Sequence, residues 1–285
     1  MASCVGSDQL GAEARRRLQT RNVDTSLIQS HSTLSTGMVI ATLDDMGDAT
    51  YEFDTPAAWD GLAMGEELEE GVEGANVVVV GSLASRLGSE GSSAATVRSI
   101  RNAAREESLV MDINLRPPWY EAEAVLALCR GDGDSAEALA LLKLNDDELT
   151  IVESWCGVQT AQQYKEEDML GGVIRERMEA LASALNAKRI CVTRGENGAA
   201  LYCRDGDVFV ENGGHAVSES ESGSDTVGAG DSFLAALIKY LLLEDESPEV
   251  ALDRACALGA YVANVRGAVP SHEDAPDALR RIFAP

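Results

Sequence analysis

The sequence predicts an α/β fold in which a mainly parallel central sheet carries helices on both faces. Three observations lead there. Short β-branched apolar runs of strand length recur along the chain. Amphipathic stretches of helical length separate them. Glycine- or asparagine-containing turns follow several of the apolar runs, at the strand ends where open α/β sheets place their ligands. A length of 285 residues, 45% hydrophobic and 25% charged, suits a single domain, 1–285, with a large buried core.

The first strand-like run is Asn76 to Gly81, NVVVVG, read as buried on both faces. A helical stretch follows from about Ser92 to Glu106, and then a strand from Leu109 to Ile113. Helix signals return around Glu121 to Cys129, a Gly/Asp turn covers Gly131 to Asp134, and a second helical patch runs into Leu141-Leu142-Lys143-Leu144. Those four residues also read as an apolar strand. A helix is expected over Gly172 to Leu185 and a strand over Arg189 to Thr193.

Two segments read as hairpins instead. One covers about 37–53 and stands outside the alternation, as a small partial β lid; the other runs from Ala199 to Glu211. Glu66 to Glu73 is an acidic connector, read as a solvated helix or loop. The C-terminal third is helical: about Gly228 to Leu243, Pro248 to Asn264, and a turn near Ala275 to Phe283.

A formal net charge of −25 argues against nucleic acid or an anionic membrane as a partner. No apolar run approaches the ~20 residues of a membrane span. The first twenty residues lack the apolar stretch of a secretory signal, so the expected location is the cytoplasm. An organelle-targeting segment lost with a missing N-terminus is the alternative. Six cysteines are scattered without a C-x-x-C pair, which argues against zinc.

The most informative run is Asp225-Thr226-Val227-Gly228-Ala229-Gly230-Asp231, which opens directly into an amphipathic helix. Small residues at Gly228, Ala229 and Gly230 let backbone N–H groups approach an anion closely. The helix N-terminus adds orphan N–H groups and the positive end of its dipole. A carboxylate beside such an anion hole can accept the proton of a hydroxyl as that hydroxyl attacks a phosphoryl group. Asp231 is therefore the expected catalytic base.

The whole run resembles the signature of the ribokinase-like (PfkB) carbohydrate kinases. Further segments match that family in order. Asn145-Asp146-Asp147-Glu148 resembles its N-x-x-E motif, which implies that Glu148 organises Mg²⁺ through water and that Asn145 helps place nucleotide phosphates. A helix start capped by Asn145 would use the same residues. Thr193-Arg194-Gly195-Glu196-Asn197-Gly198 resembles the T-x-G-x-x-G nucleotide loop, although a tight turn also explains its glycines. There Arg194 would bring positive charge towards the phosphates.

Asp112-Ile113-Asn114-Leu115-Arg116-Pro117 resembles the D-x-N-x-R segment of fructokinase-like members, in which Asn114 and Arg116 would bond the sugar or the transferring phosphate. Gly267 to Ser271 resembles the loop that, with Asp225 and Thr226, holds a monovalent cation such as K⁺ in many members. The resemblance thus implies a three-layer ribokinase-like fold and an ATP- and Mg²⁺-dependent kinase of a small sugar. A homodimer is compatible with it. With so acidic a chain, the nucleotide must be held by local devices: backbone N–H groups, a metal ion and one or two arginines.

One departure stands out. Ser3 to Gly11 already resembles a V-G-x-D-x-x-G segment that family members reach only after a substrate-binding strand and a Gly-Gly-x-x-x-Asn stretch. The expectation is an N-terminally incomplete domain with an intact ATP half and a reduced sugar half. Two other functions stay open: an impaired kinase-derived nucleotide-binding or scaffolding protein, and a nucleoside or vitamin-precursor kinase.

Overall fold

Strand and helix alternate through most of the chain. The computed structural model describes residues 1–43, 49–85, 92–105, 107–131, 138–158, 172–215, 226–265, 267–269 and 279. The described strands are β1 (Ser3–Gly6), β2 (Ile28–His31), β3 (Val39–Leu43), β4 (Ala49–Phe53), β5 (Val78–Gly81), β6 (Leu109–Asp112), β7 (Leu141–Asn145), β8 (Arg189–Thr193), β9 (Ala199–Cys203) and β10 (Val208–Asn212). The α-helices are α1 (Gln9–Gln19), α2 (Glu66–Gly74), α3 (Ser92–Ala103), α4 (Ala122–Arg130), α5 (Asp146–Cys156), α6 (Gly172–Ala184), α7 (Ala229–Leu237) and α8 (Pro248–Ala263).

Six strands form one sheet in the order β10-β9-β8-β7-β6-β5. The pairs β5–β6 and β7–β8 are parallel, while β8–β9 and β9–β10 are antiparallel. The expected parallel sheet thus ends in an antiparallel ribbon, because four residues (204–207) join β9 to β10 and a hairpin reverses the chain. Two smaller sheets, β1–β2 and β3–β4, stand apart from it. The chain divides into two compact units, residues 1–41 with 51–140 and residues 42–50 with 141–285.

In the first unit β1 and β2 are parallel, and Asp8 caps α1 by accepting the Gly11 N–H at 2.8 Å. The same carboxylate accepts the Thr36 N–H at 2.8 Å and the Thr36 hydroxyl at 2.7 Å. These donors, the Thr36 N–H foremost, hold the Asp8 carboxyl below its ordinary pKa. Val110, Met111 and Ile113 are fully buried. In the second unit Leu142 and Leu144 of β7 and Ile190 and Val192 of β8 share one face of the sheet and form an apolar layer with Leu149 and Val152 of α5 and Ile174, Met178 and Leu181 of α6. Within that layer Glu153 of α5 and Arg177 of α6 form a buried ion pair at 2.6 Å.

Several sequence expectations need correction. The run at 76–81 is not buried on both faces: Val79 is 52% exposed, because β5 is an edge strand of its sheet. Residues 141–144 are strand, not the end of a helix; leucines at 141, 142 and 144 reflect burial on both faces. The helix opened by Gly228 is α only to Leu237 and continues as a π-helical stretch over Ile238–Leu243. Of the two forms expected for the acidic connector, helix or loop, the structure has the helix, α2, with Leu68 and Val72 buried. β1, α1 and β2 were not expected as elements. Each strand has only four residues, and α1 buries only Gly11. The turn near 275–283 lies outside the described residues apart from residue 279.

Candidate active site

Within the second unit, β7 and β8 bring two of the expected segments together. Parallel pairing sets Asn145 opposite Thr193, so both segments start from the same end of adjacent strands. Asn145 caps α5: its side-chain oxygen accepts the Glu148 N–H at 2.7 Å, and Glu148 returns a carboxylate oxygen to the Asn145 N–H at 2.9 Å. This capping box fixes Glu148, which is 4% exposed, at the positive end of α5. The two readings of N-x-x-E are compatible, since the cap holds in place the same oxygen donors that a hard cation would use.

The loop after β8 turns tightly through a short 3₁₀ segment, Gly195–Asn197. Gly198 has φ +77°, and a side chain there would stand 2.1 Å from the Asn212 carbonyl oxygen, so only glycine fits. Arg194 does not present its charge as expected. Only 5% exposed, it pairs with Glu211 of β10 at 2.7 Å and reaches the carbonyls of Ala199 and Asn212. Its guanidinium ties the loop to the β9–β10 ribbon.

The Asp231 segment enters α7 through Gly228 at φ +82°, where a Cβ would meet Ala268 at 2.6 Å. That contact sets Gly228 close against Ala268. Thr226 is exposed, whereas Asp225 and residues 270–271 lie outside the described residues. Ala229 bonds back to the Thr226 carbonyl at 3.2 Å and Ser232 to the Gly228 carbonyl at 2.9 Å. Between them, the N–H groups of Gly230 and Asp231 meet no acceptor among the described residues. The Asp231 carboxylate is exposed and has no hydrogen bond or ion pair among them. Phe233, Leu234, Ala236 and Leu237 anchor α7, which packs on α8 where Gly259 admits Phe233.

One residue near this site was missed in the sequence. Lys143 of β7 is buried, 6% exposed, and its Nζ lies 3.5 Å from where a Cβ of Gly230 would stand. The available signal was a lysine inside an apolar strand, two residues before Asn145 and therefore on the same face. Thiol chemistry has no place nearby. Burial pushes the Cys191 thiol well up and the Cys256 thiol up to about 12.

The expected sugar contacts, Asn114 and Arg116, belong to the first unit. Asn114 has φ +40°, and its carbonyl accepts the Ser82 hydroxyl at 3.4 Å. Arg116 donates to its own neighbour, the Leu115 carbonyl, at 2.8 Å, and its guanidinium stands 5.3 Å from the ring centre of Tyr51 on β4. Phe53 meets Trp119 edge-on at 6.2 Å. The lid strand β4 and the D-x-N-x-R segment therefore share one aromatic cluster.

Among the described residues no helix is long and apolar enough to cross a membrane, and no group of three or more His, Cys, Asp or Glu could hold a metal. Residues 1–275 match the model of the pfkB family carbohydrate kinases. A fructokinase of Salmonella typhimurium is 26% identical over 273 residues, covering 93% of this chain and 80% of that protein. Among solved structures, a ribokinase from Giardia lamblia superimposes with a TM-score of 0.70 at 16% identity, over 99% of this chain and 81% of the other. A fructokinase with bound ATP from Xylella fastidiosa gives 0.66 at 19% identity, over 94% and 79%.

Proposed function

This chain belongs to the pfkB family of carbohydrate kinases, and from that premise we propose that it transfers the γ-phosphoryl group of ATP to a hydroxyl of a small sugar of the fructose type. The observation that carries the proposal is the entry of α7. Among the described residues, the N–H groups of Gly230 and Asp231 meet no acceptor, and they stand beside an exposed carboxylate that has no hydrogen bond or ion pair there. In that setting the α7 N-terminus binds the transferring phosphoryl group, with Gly228, Ala229 and Gly230 lining the anion hole. Asp231 takes the proton of the attacking hydroxyl.

Asn145, Thr193, Gly195 and Gly198 form the nucleotide side, with Arg194 acting through the loop it anchors. The oxygen donors at the start of α5 suit Mg²⁺, which keeps most of its waters and takes few protein ligands. Glu148, fixed by its capping box, would hold the ion through water, and the ion would neutralise phosphate charge. Thr226 and Asp225 are proposed as ligands of a monovalent cation such as K⁺. Asn114 and Arg116 are proposed as the residues that recognise the sugar.

The test is a coupled assay of ADP formation with fructose, ribose, other hexoses and inosine. Fructose-dependent turnover is expected. ATP binding without turnover on any acceptor would instead make the chain a kinase-derived binding protein. Preference for inosine would place the substrate among nucleosides.

A further inference from the structure

In a chain of net charge −25, Arg116 has no carboxylate partner among the described residues. Its guanidinium is held by two other contacts. Nη1 donates to the Leu115 carbonyl at 2.8 Å, and the group stands 5.3 Å from the ring centre of Tyr51, within cation–π range. Its remaining N–H donors meet no acceptor among the described residues. Arg254 differs: it lies 4.2 Å from the ring centre of Tyr240 but is also paired with Glu246. Tyr51 in turn is fixed by its neighbours. Tyr51 and Phe53 are two residues apart on β4 and so share one face of that strand. Their rings lie 6.4 Å apart, and Phe53 meets the edge of Trp119 at 6.2 Å. The Trp119 N–H donates to the Arg116 carbonyl at 2.7 Å, which closes the turn back to Arg116. Arg116, Tyr51, Phe53 and Trp119 thus form a closed circuit within the first unit, and all four are half-buried.

Resting on the reading above in which Arg116 recognises the sugar, we propose that Tyr51 is a positioning residue for that recognition: its ring holds the Arg116 guanidinium so that the unengaged N–H groups meet hydroxyl oxygens of the acceptor sugar. An arginine ordered only by its ligand spends part of the binding energy on that ordering. A guanidinium already seated on a ring keeps its planar fork in one orientation and avoids that loss. Tyr51 acts through its ring face. Its hydroxyl has no hydrogen bond among the described residues, so phenylalanine would serve as well. The consequence is selective: β4 tunes affinity for the sugar and leaves the nucleotide and the chemical step alone.

The test is a double-mutant cycle on the full chain, read by calorimetric titration with fructose and with ribose and by steady-state kinetics. Tyr51→Leu removes the ring, Tyr51→Phe keeps it, and Arg116→Met removes the cation. Tyr51→Leu is expected to raise Kd and KM for the sugar about fivefold to thirtyfold, the range a cation–π contact spans between exposed and desolvated sites. KM for ATP and kcat should change less than about twofold. Tyr51→Phe should recover most of the lost sugar affinity, and in the Arg116→Met background Tyr51→Leu should cost nothing further. Unchanged sugar affinity in Tyr51→Leu, no recovery in Tyr51→Phe, or an undiminished loss in the Arg116→Met background would overturn the proposal. Tyr51→Gln is a second ring-less variant; if neither it nor Tyr51→Leu folds, Tyr51 serves the fold and the proposal fails. Sugar affinity untouched by Arg116→Met would remove the reading on which it rests. If wild type binds sugar without phosphorylating it, the kinase reading fails while the titrations still decide the role of Tyr51. Wild type that binds neither sugar would overturn the proposal together with the sugar-kinase reading.

Discussion

Replacing Glu153 by leucine tests the packing that holds the nucleotide half of the site. Glu153 is 0% and Arg177 4% exposed, and they meet in a near-bidentate contact: Arg177 Nε lies 3.1 Å from both carboxylate oxygens and Nη2 lies 2.6 Å from one. Arg177 Nη2 also donates to the Thr150 hydroxyl at 3.0 Å. Arginine does not deprotonate in proteins, so Glu153→Leu leaves a buried guanidinium without this counter-charge, at a cost of about 3–5 kcal/mol. For a chain of this size each kcal/mol lowers Tm by roughly 2 °C, so a fall of about 6–10 °C is expected. The double variant Glu153→Leu/Arg177→Met removes both charges and should recover most of that loss, because apolar groups of similar volume replace a buried pair at little or no cost. Urea unfolding followed by circular dichroism, with all four members of the cycle, measures both numbers. A single-variant loss below about 1 kcal/mol, or a double variant less stable than Glu153→Leu, would refute the reasoning.

Other consequences can be measured directly. Gly198→Ala forces a Cβ against the Asn212 carbonyl at a φ of +77°; a stability loss of about 2 kcal/mol or more and weaker ATP binding are expected in thermal shift and titration experiments. Asp8 has a depressed pKa in the folded chain because Thr36 and Gly11 donate to its carboxylate. Its contribution is therefore fully present above the unfolded value near ~4 and is lost as pH falls through the lower folded value. Asp8→Asn should be less stable than wild type at pH 7, with the gap closing below about pH 4 in urea midpoints taken across pH. A gap that stays constant would remove Asp8 as the source.

Much of the fold was legible because its signals are local. NVVVVG, RICVT and the ribbon around 204–207 announce themselves by composition, and α5 by a capping box written in consecutive residues. What escaped depends on contacts distant in sequence. The exposure of Val79 follows from the position of β5 at a sheet edge, which no property of the run itself encodes. Arg194 was expected to face phosphates, yet its environment is set by Glu211, seventeen residues further on. Lys143 looked like one lysine among four until β7 set it beside a glycine 87 positions away. α1 is rich in arginine and buries only Gly11, so no apolar stripe marked it.

The central claim is that Asp231 is the base of a phosphoryl transfer to a sugar. Its most direct test is phosphate NMR of ATP with fructose and Mg²⁺, comparing wild type with Asp231→Asn, an isosteric change at an exposed position that should leave the fold intact. The account predicts a sugar phosphate signal with wild type and its loss by about 10²-fold or more in the variant, with ATP affinity nearly unchanged. Equal rates of sugar phosphate formation in the two proteins would contradict it.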